Sequence, residues 1–217
     1  MKPTLLIANK NYSSWSLRGW LALRHAGIDF DEQIVMLDQP DTQAKILAFT
    51  PSGRVPALKD GGLLIWDSLA ICEYAAEKNP EMWPADTKAR AVARAVSAEM
   101  HSGFQALRQA LPMNLRATGR KVELTSAVLA DIDRIEHIWV DCRARFGEGG
   151  PWLYGRWSLA DAMYAPVATR FVTYGIHRSG AFDDYISAVF GDADFQQWKQ
   201  AALAETEVIP DDEAGAP

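Results

Sequence analysis

Residues Ser52 to Glu77 read SGRVPALKDGGLLIWDSLAICEYAAE: two short strands, a turn and a helix in one run. Val55-Pro56-Ala57-Leu58 is apolar but carries a proline, which has no N–H to give a central, fully paired strand. Asp60-Gly61-Gly62 is turn chemistry, and the apolar Leu63-Leu64-Ile65-Trp66 follows as the second arm of a hairpin. Asp67-Ser68 then supplies the N-cap of a helix whose apolar positions begin with Leu69, Ile71, Cys72 and Tyr74. Two features of this run point to a ligand. With a cis Val55–Pro56 bond, strand pairing stops early and leaves the N–H and C=O of Val55 for an extended, peptide-like molecule. The amides and hydroxyl at Asp67-Ser68 lie at a helix N-terminus, which favours a carboxylate, and Asp67 adds a negative charge for an ammonium group. A molecule with a free α-amino acid end and a peptide-like middle satisfies both features. The plainer alternative is a strand-ending proline beside an ordinary helix cap.

Upstream of this run, Thr4–Ala8 (TLLIA) is a compact apolar segment that reads as a buried strand. Asn9–Ser14 is polar and turn-like, and a helical pattern runs from about Trp15 to His25 until Gly27 stops it. Phe30–Leu37 reads as a second strand with Ile34-Val35-Met36-Leu37 as its core, and Asp38–Leu47 shows a weak helical pattern. The order strand, helix, strand, helix, strand, strand, helix predicts a thioredoxin-like α/β domain over residues 1–78, with a mixed sheet covered on both faces. Residues 79–87, rich in proline, make a linker to an all-helical domain at 88–217. In that second part, apolar residues from Val92 to Leu111 recur every three or four positions. They predict one long helix over Thr87–Leu115, kinked or ended by Pro112. Leu124 to Phe146 carries a second such stripe, and Ser158-Leu159-Ala160-Asp161 is a Ser-x-x-Asp cap opening a helix through Tyr164 and Val167. A last helical stretch covers Phe182–Leu203, and the acidic tail from Glu205 to Pro217 reads as disordered.

The VPAL segment, the hairpin and DSLAICEY resemble the glutathione site of the glutathione S-transferase superfamily, and the resemblance extends over nearly the whole chain. It implies that Pro56 is cis, that Val55 pairs with the cysteinyl backbone of glutathione, and that Asp67 and Ser68 hold the γ-glutamyl end, with Arg54 as a helper. Ser13-Ser14-Trp15-Ser16-Leu17-Arg18 is similar to the Ser-Ser-Cys-Ser-x-Arg pattern of the zeta class, as in a bacterial serine-type member. That similarity puts the catalytic hydroxyl at Ser13, with Ser14 as the second choice because other serine-type classes place it one residue later. Helix capping is the plainer role for all three serines. A serine here would not attack. It would donate a hydrogen bond to a bound thiolate at a helix N-terminus, where the dipole adds positive potential. Trp15 stands where the zeta class has cysteine, which argues against that class's isomerase activity, and without a cysteine at Ser13 disulfide exchange is disfavoured. By the same resemblance, Tyr12, Trp15, Met100, His101, Phe104 and Tyr164 are expected to wall a pocket for a second, apolar electrophilic substrate between the domains.

The implied function is glutathione conjugation in detoxification, with glutathione as co-substrate and the protein as a homodimer. The alternatives are a maleylacetoacetate-type isomerase, a hydroperoxide reductase, or a non-catalytic binding or scaffold protein of the same fold. Composition agrees with a globular protein: of 217 residues, 48% are hydrophobic and 23% charged. A net charge of −6 disfavours nucleic acid as a partner. No signal-like segment and no run of membrane-span length is present, so a cytoplasmic location and no membrane partner are expected. Cys72 and Cys142 fall on apolar helix stripes and read as buried thiols. His25, His101, His137 and His177 have no ligand spacing, so no metal is expected.

Overall fold

A computed structural model describes residues 2–178 and 180–216; the expected domain limits at Met1 and Pro217 fall outside them. The first half runs β1 (Thr4–Ala8), α1 (Ser14–His25), β2 (Asp31–Val35), α2 (Thr42–Phe49), β3 (Ala57–Asp60), β4 (Leu63–Trp66) and α3 (Ser68–Lys78). The four strands form one mixed sheet in the order β2-β1-β3-β4. β1 is parallel to β2, a pairing that needs the crossover α1 supplies, and antiparallel to β3, which in turn is antiparallel to β4. β1 is apolar from Leu5 to Ala8 because both its faces are covered there. Leu5 and Ile7 join the main core with Leu17 and Leu21 of α1 and Ile71 of α3, while Leu6 packs with Val35, Ile46, Phe49 and Ala57 under α2. β2 is the exception: it is shorter than expected and lies at the sheet edge, so only Val35 is buried and Ile34 is 47% exposed.

The second half is helical: α4 (Thr87–Ser102), α5 (Gln105–Ala110), α6 (Ser126–Phe146), α7 (Leu159–Thr173), α8 (Ala181–Gly191) and α9 (Ala193–Ala204). The single helix expected over Thr87–Leu115 is broken at Gly103. A Cβ there would lie 2.7 Å from the Glu99 carbonyl oxygen, so only glycine closes the turn, and Phe104 follows in the left-handed region at φ 58°. The final stretch is also two helices, because the Asp192 carboxylate accepts from the Phe195 N–H at 2.8 Å and starts α9 afresh. α7 is buried along almost its whole length and carries the expected cap. Asp161 accepts from the Ser158 N–H (2.8 Å), the Ser158 hydroxyl (2.9 Å) and the Leu153 N–H (3.2 Å), and burial pushes its carboxyl up to about 6 against those hydrogen bonds. Trp139 of α6 packs edge-on against Tyr164 and Phe171 of α7 and Tyr185 of α8.

The tail from Glu205 to Ala216 is tied to the rest of the chain, contrary to the expectation from its composition. The Glu205 carboxylate accepts the backbone N–H groups of Lys10 (2.6 Å) and Asn11 (2.9 Å), and Glu213 accepts from the Tyr12 hydroxyl (2.6 Å) and the Asn114 amide (2.7 Å). Acidic residues that would repel one another in isolation are each used against a donor of the β1–α1 loop or its neighbours. Among the described residues no helix is long and apolar enough to cross a membrane.

Candidate active site

Two helix N-termini and one strand entry converge on a cleft of about 580 Å³. Its floor is Val55 and Pro56. The Val55–Pro56 bond is cis, β3 starts only at Ala57, and among the described residues the Val55 N–H and C=O join neither the sheet ladder nor the turn hydrogen bonds. α1 approaches this floor closely because Gly19 has no side chain; a Cβ there would sit 3.2 Å from the Pro56 ring. One end of the cleft is the start of α3. Asp67 holds φ at 80°, a left-handed conformation uncommon outside glycine, and its Oδ1 accepts the Leu69 N–H at 2.8 Å. The Ser68 hydroxyl beside it is buried, lines the cleft and has no hydrogen-bond partner among the described residues. A buried hydroxyl at a helix N-terminus without a partner fits an incoming carboxylate. Arg54, Ser52 and the half-exposed Trp66 complete this side, and Ser52 and Trp66 are wall residues that motif reading did not assign.

Of the six residues expected to wall a second pocket, Trp15 and His101 line the cleft and the other four do not. Met100, Phe104 and Tyr164 belong to the helical core, where the Tyr164 hydroxyl donates to the Val96 carbonyl at 3.1 Å. Met100 and Tyr164 occupy the inward stripes of α4 and α7 and Phe104 is the N-cap of α5; periodicity marks such stripes as core, whereas the wall is what the resemblance implies. Tyr12 is turned toward the tail, between Glu213 and the Arg116 guanidinium (2.8 Å). His101 does more than line a wall. Its Nε2 lies 3.1 Å from Asp67 Oδ2, and its ring meets Trp15 edge-on with centroids 5.3 Å apart. The helical half therefore reaches across to the acid that motif reading reserves for an ammonium group.

The first turn of α1 borders the cleft through Trp15. Ser13 is its N-cap, and Ser13 and Ser14 retain 7% and 6% exposure. Ser14 accepts from the Arg170 guanidinium at 3.2 Å, and the Arg18 and Arg108 guanidinium carbons lie 4.4 and 5.2 Å from the Trp15 ring centroid. Burial holds the Arg18 guanidinium down to about 9, with Arg170 and Arg108 adding repulsion, and Arg170 down to about 10. The two cysteines stand apart from this chemistry. Both are unpaired and buried, and burial pushes the Cys72 thiol up to about 12. His25, isolated in the sequence, meets Asp192 and Asp194 in space. Arg24 is already hydrogen-bonded to Asp194 at 2.8 Å, so the group reads as an ion-pair cluster joining α1 to α9.

Comparison with known proteins places the chain by family and by fold. Residues 12–78 match the family model for the glutathione S-transferase N-terminal domain. The chain is 33% identical to glutathione S-transferase Z2 of Arabidopsis thaliana over 171 residues, 72% of this chain and 74% of the relative. It is 31% identical to maleylacetoacetate isomerase of Rattus norvegicus over 173 residues, 76% of each chain. A crystal structure of a glutathione transferase homologue from Burkholderia, with bound glutathione, shares the fold at a TM-score of 0.69 and 24% identity, covering 94% of this chain and all (100%) of the other. The chain belongs to the glutathione S-transferase superfamily and is zeta-like within it.

Proposed function

We propose that this protein binds reduced glutathione in the cleft, holds its sulfur as a thiolate at the first turn of α1, and directs that thiolate onto a small apolar electrophile. The observation that carries the reading is the buried, unpartnered Ser68 hydroxyl at the start of α3, lining a cleft whose floor is the unpaired backbone of Val55. In this reading the γ-glutamyl carboxylate takes Ser68 and the α3 amides, its ammonium takes Asp67, and Val55 pairs with the cysteinyl backbone beside Pro56. Arg54, exposed at the rim, serves the glycyl end. The sulfur then lies toward the first-turn serines, Ser13 and Ser14. A free thiol ionises near ~8.5, and lowering that by two units corresponds to about 3 kcal/mol of preferential thiolate binding. Rate comes from the larger thiolate fraction and from fixing the sulfur next to the electrophile. Trp15 and His101 are the wall residues offered to that electrophile. The homodimer, the cytoplasmic location and the detoxifying role belong to the same reading.

A second reading, glutathione-dependent isomerisation, is supported by the name of the rat relative and opposed by Trp15 at the zeta cysteine position. Assaying the purified protein with a chloronitroaromatic electrophile, an organic hydroperoxide and a cis-enol diketo acid separates them. Conjugation consumes glutathione and the electrophile together, reduction of a hydroperoxide yields glutathione disulfide, and isomerisation consumes no glutathione. Turnover only of the enol acid refutes conjugation; no turnover with any of the three leaves a binding or scaffold protein.

A further inference from the structure

Among the described residues, His101 is the single contribution of the helical half to the lining of the cleft. Its place there depends on where α4 stops. The Gly103 N–H donates to the Glu99 carbonyl at 2.8 Å and ends the helix, which leaves His101 in the last turn. The carbonyl end of a helix favours a hydrogen-bond donor at that position. Two contacts then hold the residue. Its carbonyl accepts from the Arg108 guanidinium at 3.3 Å, and its ring stands edge-on to Trp15 with centroids 5.3 Å apart. Trp15 is itself met by the Arg18 and Arg108 guanidinium groups, so the ring leans on a fixed neighbour.

The ring's polar tie is to Asp67, whose side chain is 44% exposed at the rim of the cleft. Asp67 Oδ1 accepts the Leu69 N–H at 2.8 Å, and Oδ2 lies 3.1 Å from His101 Nε2. A ring nitrogen beside a carboxylate serves it as a donor, so Nε2 carries the hydrogen. His101 Nδ1 is buried and has no partner among the described residues. The carboxylate is thus held by one hydrogen bond from each half of the molecule. Among the described residues no lysine or arginine pairs with it. A carboxylate offers about four acceptor positions, and two of these are used here. The others remain for a ligand. An exposed carboxylate with one tether turns between orientations, and a ligand that needs one of them has to stop that motion; fixing it beforehand removes the cost.

We infer that His101 is a positioning residue for ligand specificity: from α4 it fixes the Asp67 carboxylate toward the α-ammonium of glutathione, and so sets how strongly the cleft prefers ligands that carry that ammonium. This rests on the reading of the cleft as a glutathione site. His101 acts through Asp67, as a donor that orients the carboxylate without cancelling its charge as a lysine or arginine would. It ties recognition of the amino end, which the thioredoxin-like half supplies, to the docking of the helical half.

The test is a binding cycle with two ligands, glutathione and glutaryl-cysteinylglycine, which is glutathione without its α-amino group. Titration calorimetry gives both dissociation constants for wild type, His101→Ala and His101→Gln. Wild type is expected to bind glutathione about tenfold or more tighter than the analogue. In His101→Ala that ratio should fall about fivefold or more, and His101→Gln, which keeps an N–H donor, should restore most of it. Equal weakening of both ligands makes His101 merely structural and overturns the assignment. Tighter glutathione binding by His101→Ala makes the ring a competitor for Asp67 and overturns it too. A second measurement uses the wild type alone, so it decides the matter should the variants misfold. The His101 Nε2 resonance should move more on saturation with glutathione than with the analogue; an equal response to both overturns the assignment. A wild type that binds both ligands equally removes the role of His101 while the cleft stands as a glutathione site. A wild type that binds neither removes the functional reading and this assignment with it.

Discussion

Changing Ser68 to Ala separates a ligand-binding hydroxyl from a structural one. The hydroxyl is buried and makes no hydrogen bond among the described residues, and the N-cap bond to Leu69 comes from Asp67. Removing it therefore costs no internal hydrogen bond and relieves an unsatisfied polar group, so unfolding free energy should hold or rise by up to about 1 kcal/mol. Binding should behave in the opposite way. A hydrogen bond to the ligand's carboxylate is worth about 1.5–3 kcal/mol, which predicts a Kd for glutathione about 10- to 150-fold weaker. Urea unfolding gives the first quantity. Fluorescence of Trp15 and Trp66, which both line the cleft, gives the second. A variant that loses more than about 1 kcal/mol of stability while binding glutathione as tightly as wild type would refute the reasoning, because the hydroxyl would then be serving the fold.

Other outcomes follow from the same structure. Asp161→Ala leaves two backbone N–H groups and a hydroxyl unpaired inside the helical half, and should cost about 3–5 kcal/mol in urea unfolding; a loss below about 1 kcal/mol would contradict the cap. Glu205→Ala frees the N–H groups of Lys10 and Asn11 and should lower stability by about 2–3 kcal/mol, and limited proteolysis should then cut the tail, which stays protected in wild type. A thiol-reactive disulfide reagent at pH 8 should label neither cysteine in the native protein and both in denaturant; native labelling of Cys72 contradicts its burial. The Cys72 thiol is held neutral by burial, so its folded value lies above its unfolded one, and its contribution to stability declines as pH rises beyond the free-thiol value of ~8.5.

Local chemistry made much of this molecule legible in the sequence. The β1 run, the turn at Gly61, the caps at Asp67 and Ser158 and the stripe of α6 each depend on residues a few positions apart, where propensity and periodicity act directly. The misses share a different cause. Gly103 ends α4 early in a close backbone turn that leaves no room for a Cβ, while the apolar stripe runs straight through it. Met100, Phe104 and Tyr164 satisfy a core and a pocket wall equally well as residue types, and only packing distinguishes them. The tail reads as disordered from its composition, yet Glu205 and Glu213 find donors about two hundred residues away in the chain, at Lys10 and Tyr12. Arg170 is likewise separated from Ser14 by 156 positions, so no motif links them. His101 reaches Asp67 only once the helical half is docked. The candidate cleft was readable because its parts, Val55, Pro56, Asp67 and Ser68, lie within one hairpin and helix. The electrostatics beneath α1 were not, because they are assembled from α1, α5 and α7.

The most direct test of the central claim is a glutathione titration of the purified wild-type protein at neutral pH, following tryptophan fluorescence and thiolate absorbance near ~240 nm together. Saturable binding with a thiolate signal that rises in step with occupancy is the predicted result. No binding at millimolar glutathione, or binding with the thiol fully protonated, would contradict it.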